Sequence, residues 1–145
     1  MAITKLVSDS FGIGVGGKVL QVVSATDSTI RSTTSTSFVT ASNTLSVDIT
    51  PSSTSSKIFI ICNASGYGDT NRAYYTIYRD ATNLGTSEGM VEHRLGWSSI
   101  SMSYLDSPST TSTTTYQLYL RSHTGATVYL NDTSKSSITV MEIGA

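Results

Sequence analysis

Few residues in this chain have the types and spacing that chemistry requires. The densest group is Glu88, Glu92 and His93, with His123 further along. Glu-x-x-x-Glu-His would set two carboxylates on one face of a helical turn, an arrangement suited to proton transfer or to a metal. Metal centres draw three or four convergent His, Cys, Asp or Glu ligands. The chain holds two His and one Cys in all, so the group reads as a solvated loop. Asp69-Thr-Asn71 resembles the start of a calcium loop but lacks the central Gly and the distal bidentate Glu. Cys62 closes an apolar run with no His beside it, and reads as a small buried hydrophobe, not a nucleophile. Carboxylates for glycoside cleavage are present, yet no spacing singles out a pair. Gly12-Ile-Gly-Val-Gly-Gly17 precedes a strand and opens no helix, so it is a hinge and not a phosphate loop. Asn63-Ala-Ser65 and Asn131-Asp-Thr133 match glycosylation acceptors, as a chain rich in Ser and Thr does by chance. The expectation is a protein that is not an enzyme, with no catalytic residue, no metal and no cofactor.

The aromatic residues are a better lead. Tyr67, Tyr74, Tyr78, Trp97, Tyr119 and Tyr129 lie beside turn signals or on alternate strand positions. They are candidates to line a subunit interface or a shallow ligand groove. The plainer alternative is that most of them fill a core.

The elements that would position these side chains are strands. Leu45, Val47 and Ile49 alternate with polar residues, and residues 58–62 form an unbroken apolar run. With Pro51 and a Ser/Thr turn between them, the two segments read as a central pair of strands. Around that pair we expect strands at residues 18–25, 29–33, 38–40, 72–79 and 97–105. Residues 66–71 are expected as a turn-rich loop and residues 80–83 as a tight hairpin turn. Residues 86–96 should form a long loop or a short helical turn. Tyr116, Leu118 and Leu120 should point inward from a strand over 115–122, which turns at 123–126 and returns as a hairpin over 128–130, before a closing strand over 137–143. Eight to ten short strands without an amphipathic helix predict an all-β, antiparallel two-sheet β-sandwich of the jelly-roll type over residues 18–145. Residues 1–17 stand apart as an extended arm, in which Ile3, Leu6, Val7 and Phe11 would anchor the domain to another chain.

Composition narrows the role. Ser and Thr make up roughly a third of the chain, and charged residues are 13%, about half of the ~25% usual in soluble domains. Nine Lys and Arg against ten Asp and Glu leave a net charge of −1. That balance gives no electrostatic basis for binding nucleic acid or a membrane surface. One Cys excludes an internal disulfide, so stability must come from packing or association. No apolar run approaches the ~18 residues of a membrane span, and the first residues lack the apolar core of a secretory signal. Sheet edges with few charges to guard them favour a homo-oligomer.

Four segments together carry a resemblance: Met1-Ala-Ile-Thr-Lys-Leu6, Gly17-Lys-Val-Leu-Gln-Val-Val23, Ile49-Thr-Pro-Ser-Ser-Thr-Ser-Ser-Lys57 and Ser137-Ile-Thr-Val-Met-Glu-Ile143. The chain resembles small surface proteins of tailed-phage virions, of the kind found in cyanophages and labelled tail-fibre-like. The resemblance implies a trimeric jelly-roll head on the virion surface, attached through its N-terminal end, and brings no catalytic motif. It implies a partner that is either the major capsid protein or a tail or adaptor protein. Because no repetitive stalk is present, the expectation leans to a capsid decoration or cement protein. The alternative is a short tail-fibre or spike tip that binds host-surface glycan.

Overall fold

The computed structural model describes residues 17–131 and 134–144, and for residues 69–71 the backbone path alone. The expected anchoring residues Ile3, Leu6, Val7 and Phe11 lie outside the described residues. The described chain is all-β and contains no helix. Its strands are β1 (Val19–Asp27), β2 (Arg31–Thr33), β3 (Val39–Thr40), β4 (Ser46–Ile49), β5 (Lys57–Arg79), β6 (Thr82–Asn83), β7 (Val91–Asp106), β8 (Thr114–Ser122), β9 (Val128–Leu130) and β10 (Ser136–Ile143). They form one curled antiparallel sheet.

The sheet is organised by β5. Along one edge it meets β10 at residues 57–63, β9 at 66–68 and β8 at 73–79. Along the other it meets β7, and at its end β6. Strand β1 extends the sheet beyond β10, β2 beyond β9, and β3 and β4 beyond β8. The expected central pair therefore does not pair. β4 pairs with β8 and the start of β5 with β10 and β7, and both contribute side chains to the one core. Likewise β8 and β9 make no hairpin, because β9 is taken up by β5 and β2.

A straight strand of 23 residues would span about 75 Å, yet the ends of β5 meet. Asp106, opposite Ile58 at the start of β5, accepts hydrogen bonds of 2.8 and 2.9 Å from Arg79, its last residue. The bend lies in residues 66–71, expected as a loop. Here the backbone remains extended, passing through two glycines and a register shift between Gly68, opposite Gly96, and Arg72, opposite Arg94. Glycine and bulges are turn signals in sequence, and inside a strand they bend it instead. Gly66 has a further reason to lack a side chain. A Cβ there would lie 2.5 Å from the Tyr75 hydroxyl and 2.9 Å from Ile100 Cγ1. Gly66→Val is therefore expected to cost about 1–3 kcal/mol through overpacking, read as a lower urea midpoint.

The curl encloses one apolar core. Ile58, Ile60 and Cys62 from β5, Ile138 and Val140 from β10, and Ile100 and Met102 from β7 supply one side. Tyr75 and Ile77, with Tyr116, Leu118 and Leu120 from β8, and Val47 and Ile49 from β4, supply the other. Tyr116, Leu118 and Leu120 point inward as expected. The run over 58–62 alternates after all, since Phe59 and Ile61 are half-buried on the outer face.

Glu142 fixes the β4–β5 connection to this core. It is buried, and its carboxylate accepts from the Ser52 amide at 2.7 Å, the Ser52 hydroxyl at 2.6 Å and Gln21 Nε2 at 2.6 Å. Burial raises its pKa, but these hydrogen bonds outweigh burial and bring it down from 4.5 to about 2. A depressed carboxyl stabilises the fold fully above its unfolded value and loses that contribution as pH falls towards its folded value. The stability difference between the wild type and Glu142→Gln is thus expected to be constant above pH 5 and to shrink between about pH 4.5 and 2, as measured by urea titrations across that range.

Candidate functional site

Glu92 and His123 lie beside Tyr74, and Glu88 reaches the same place through Arg121, but arginines take up both carboxylates. Glu88 pairs with Arg121 at 3.1 Å, and Glu92 lies 3.3 Å from Arg72 and 2.5 Å from Arg94. His93 is held by the Gly96 carbonyl at 2.6 Å and the Ser98 hydroxyl at 2.8 Å. His123 lies 3.2 Å from the Tyr74 hydroxyl. Residues 91–96 are the start of β7 and not the expected loop or helical turn, which separates Glu92 and His93 onto opposite faces of a strand. Leu95 and Gly96, at φ 45° and 83°, form the irregularity that the sequence presented as loop. Among the described residues no group of three His, Cys, Asp or Glu side chains could hold a metal. Burial pushes the Cys62 thiol up to about 12, which keeps it protonated and inert at neutral pH. Asn131 is buried, with its amide donating to the Thr29 carbonyl and its oxygen accepting from Ser136.

The aromatic candidates separate into three environments. Tyr74 is fully buried, beneath the Arg121 guanidinium at 4.1 Å from its ring centre. Tyr78 and Tyr119 stack at 3.9 Å, with Phe38 edge-on to Tyr78. These three candidates belong to the packing of the β5–β8 end. Tyr67, Trp97 and Tyr129 come together at the surface.

Register explains this cluster. Tyr67 on β5 lies directly opposite Trp97 on β7 and Tyr129 on β9, and residues opposite one another across a sheet share a face. The Tyr67 ring is 5.1 Å from Trp97 and 5.6 Å from Tyr129, centre to centre. With Ile30 they line a depression of about 320 Å³. Trp97 is 40% exposed. Tyr129 is held in place from below, since its carbonyl accepts a 2.9 Å hydrogen bond from the buried Tyr75 hydroxyl. Ile30 had no aromatic or charged signal and was not among the sequence candidates.

The same outer face continues towards the start of β5. Ser65 and Ser99 follow the aromatic row, then Asn63 and Ser101, with the Ser101 hydroxyl donating to Asn63 Oδ1 at 3.0 Å. Ser134 and Lys135 border this polar stretch. Beyond it comes an apolar row across four strands, Val22, Met141, Phe59 and Leu105, in which Val22 and Leu105 are each 56% exposed. From Lys57, where β5 begins beside Ile143 and the start of β1, to Tyr67 is about 33 Å along the strand. The aromatic row is thus at the end of the sheet remote from Gly17.

This is an all-β surface with an aromatic platform, a hydroxyl-lined shelf and, among the described residues, no group of three side chains that could hold a metal. No protein-family model matches the chain, and no curated protein matches it in sequence.

Proposed function

We propose that the chain is a non-enzymatic structural protein of a bacteriophage virion, a homotrimeric jelly-roll head on the particle surface that serves as a short fibre or spike tip and holds host-surface carbohydrate. The observation that carries this reading is the meeting of Tyr67, Trp97 and Tyr129 at the end of the sheet remote from the chain start. A pyranose ring presents C–H groups on one face, and these complement the electron-rich faces of aromatic rings. The hydroxyls and amide of Ser65, Ser99, Asn63 and Ser101 supply donors and acceptors for the sugar's own hydroxyls. An exposed platform of this kind supports recognition of a polymer that passes over the surface. With the Gly17 end of the sheet, beside Ile143 and Gly144, turned to a tail, adaptor or capsid protein, the aromatic row would point away from the particle. The net charge of −1 gives no reason to add nucleic acid or membrane as partners.

Trp97→Ala should separate recognition from stability. The side chain is exposed, so the urea midpoint should move by no more than about 0.5 kcal/mol, while affinity for host polysaccharide should fall at least tenfold.

The apolar row of Val22, Met141, Phe59 and Leu105 favours a second reading, the capsid decoration protein, in which that row would rest on a neighbouring virion protein. Gold labelling of purified particles distinguishes the two. Label at the tail or at spikes supports the tip, label over the whole shell supports decoration, and particles without label would sink both.

A further inference from the structure

The long strand β7 is paired on one side only. Its 16 residues hydrogen-bond to β5, and among the described residues no strand lies on its other edge. Natural sheets guard such edges with charge, Pro or a covering segment. Residues 95–105 contain neither a charge nor a Pro. Leu95, Trp97, Tyr104 and Leu105, all on this strand, are among the exposed large apolar residues. Where the sheet curls, β7 and the chain after β6 leave a groove of about 500 Å³, with Leu84, Met90, Val91, Met102 and Tyr104 in its lining. An open edge beside an apolar groove is the arrangement that accepts an added strand, the edge supplying backbone hydrogen bonds and the groove taking alternate side chains.

We propose that the groove and edge of β7 receive the N-terminal segment, residues 1–16, of a second copy of the chain. That segment carries Ile3, Leu6, Val7, Phe11 and Ile13 and only two charged side chains, Lys5 and Asp9. Its 16 residues can reach about 50 Å when extended. It departs at Gly17, which lies against Gly144 and Ile143 of β10, on the side of the sheet away from β7. A contact between the arm of one copy and the edge of the next is heterologous, and three such contacts close into a ring. An arm folded onto its own chain would guard the edge but hold no neighbour. The inference rests on the homotrimer in the proposed function and is independent of whether the aromatic row binds sugar.

Light scattering on the eluting full-length protein tests it, alongside the chain lacking residues 1–16 and the Tyr104→Asp variant. The full chain should have the mass of three copies. Both variants should run as single copies with an unchanged circular-dichroism spectrum. A Phe11→Cys, Ser103→Cys double variant should form a linked trimer on oxidation, since the buried Cys62 does not compete. Variants that keep the three-copy mass, or a disulfide that closes within one chain, would overturn the arm exchange while leaving the homotrimer in place. A two-copy mass that survives removal of the arm would mean direct β7-to-β7 pairing, which overturns both. A full chain that runs as a single copy also overturns both.

Discussion

Replacing Asp106 with Ala is expected to destabilise the protein by about 2–4 kcal/mol, because it leaves the partly buried Arg79 guanidinium and the fully buried Tyr116 hydroxyl without their acceptor. Asp106 is 6% exposed. It accepts from Arg79 through both carboxylate oxygens and from the Tyr116 hydroxyl at 2.6 Å. Without it, a guanidinium and a fully buried phenol lose their acceptor together. Burial, and then the hydrogen bond to Asp106, push the Tyr116 hydroxyl well above its ordinary pKa. The location adds to the effect. Asp106 stands at the beginning of β5 and Arg79 at its end, so the pair fastens the two ends of the bent strand. Tyr116→Phe removes one hydrogen bond and leaves the ion pair, and should cost only about 1–2 kcal/mol. Urea denaturation of both variants measures the contrast, and equal losses would show that the ion pair does not hold the curl.

Tyr75→Ala should be comparably severe, at about 3–5 kcal/mol. Tyr75 is fully buried and fills the inside of the bend, with its hydroxyl beneath Gly66 and bonded to the Tyr129 carbonyl. Truncation leaves a cavity inside the bend and removes the hydrogen bond to the Tyr129 carbonyl. Tyr75→Phe keeps the ring and should lose about 1 kcal/mol. Because the lost bond anchors Tyr129, the Phe variant should also weaken whatever binds the aromatic row, without a matching loss of fold. Stability and ligand affinity measured on the same samples check both points.

Much of this was legible in the sequence where local pattern decides. Alternation placed Tyr116, Leu118 and Leu120 inside, and the Asp80-Ala turn joined β5 to β6 where expected, with Asp80 at φ 50°. What one sequence does not contain is pairing. Gly66, Gly68 and Gly96 signal turns when read locally, but opposite partner strands they let a long strand bend without breaking. The hairpin expected over residues 115–130 failed because β9 is captured by distant strands, and closeness in sequence carries no information about that competition. The same holds for the site. Residue type alone marks Tyr67, Trp97 and Tyr129 as candidates, but only register puts them in one row. Register also draws Tyr74, Tyr78 and Tyr119 away from it. The apolar row and the groove beside β7 left no local signal, since each is assembled from single residues on several strands.

Trp97 is the only tryptophan in the chain, so its fluorescence reports on the aromatic row alone. The most direct test is to titrate the full-length protein with host cell-surface polysaccharide and follow that emission. A saturable change is expected, weakened at least tenfold by Tyr67→Ala or Tyr129→Ala and mirrored by loss of Trp97→Ala binding to the immobilised polymer. An unaltered emission at saturating polysaccharide, or binding that survives all three substitutions, would contradict carbohydrate recognition at this surface.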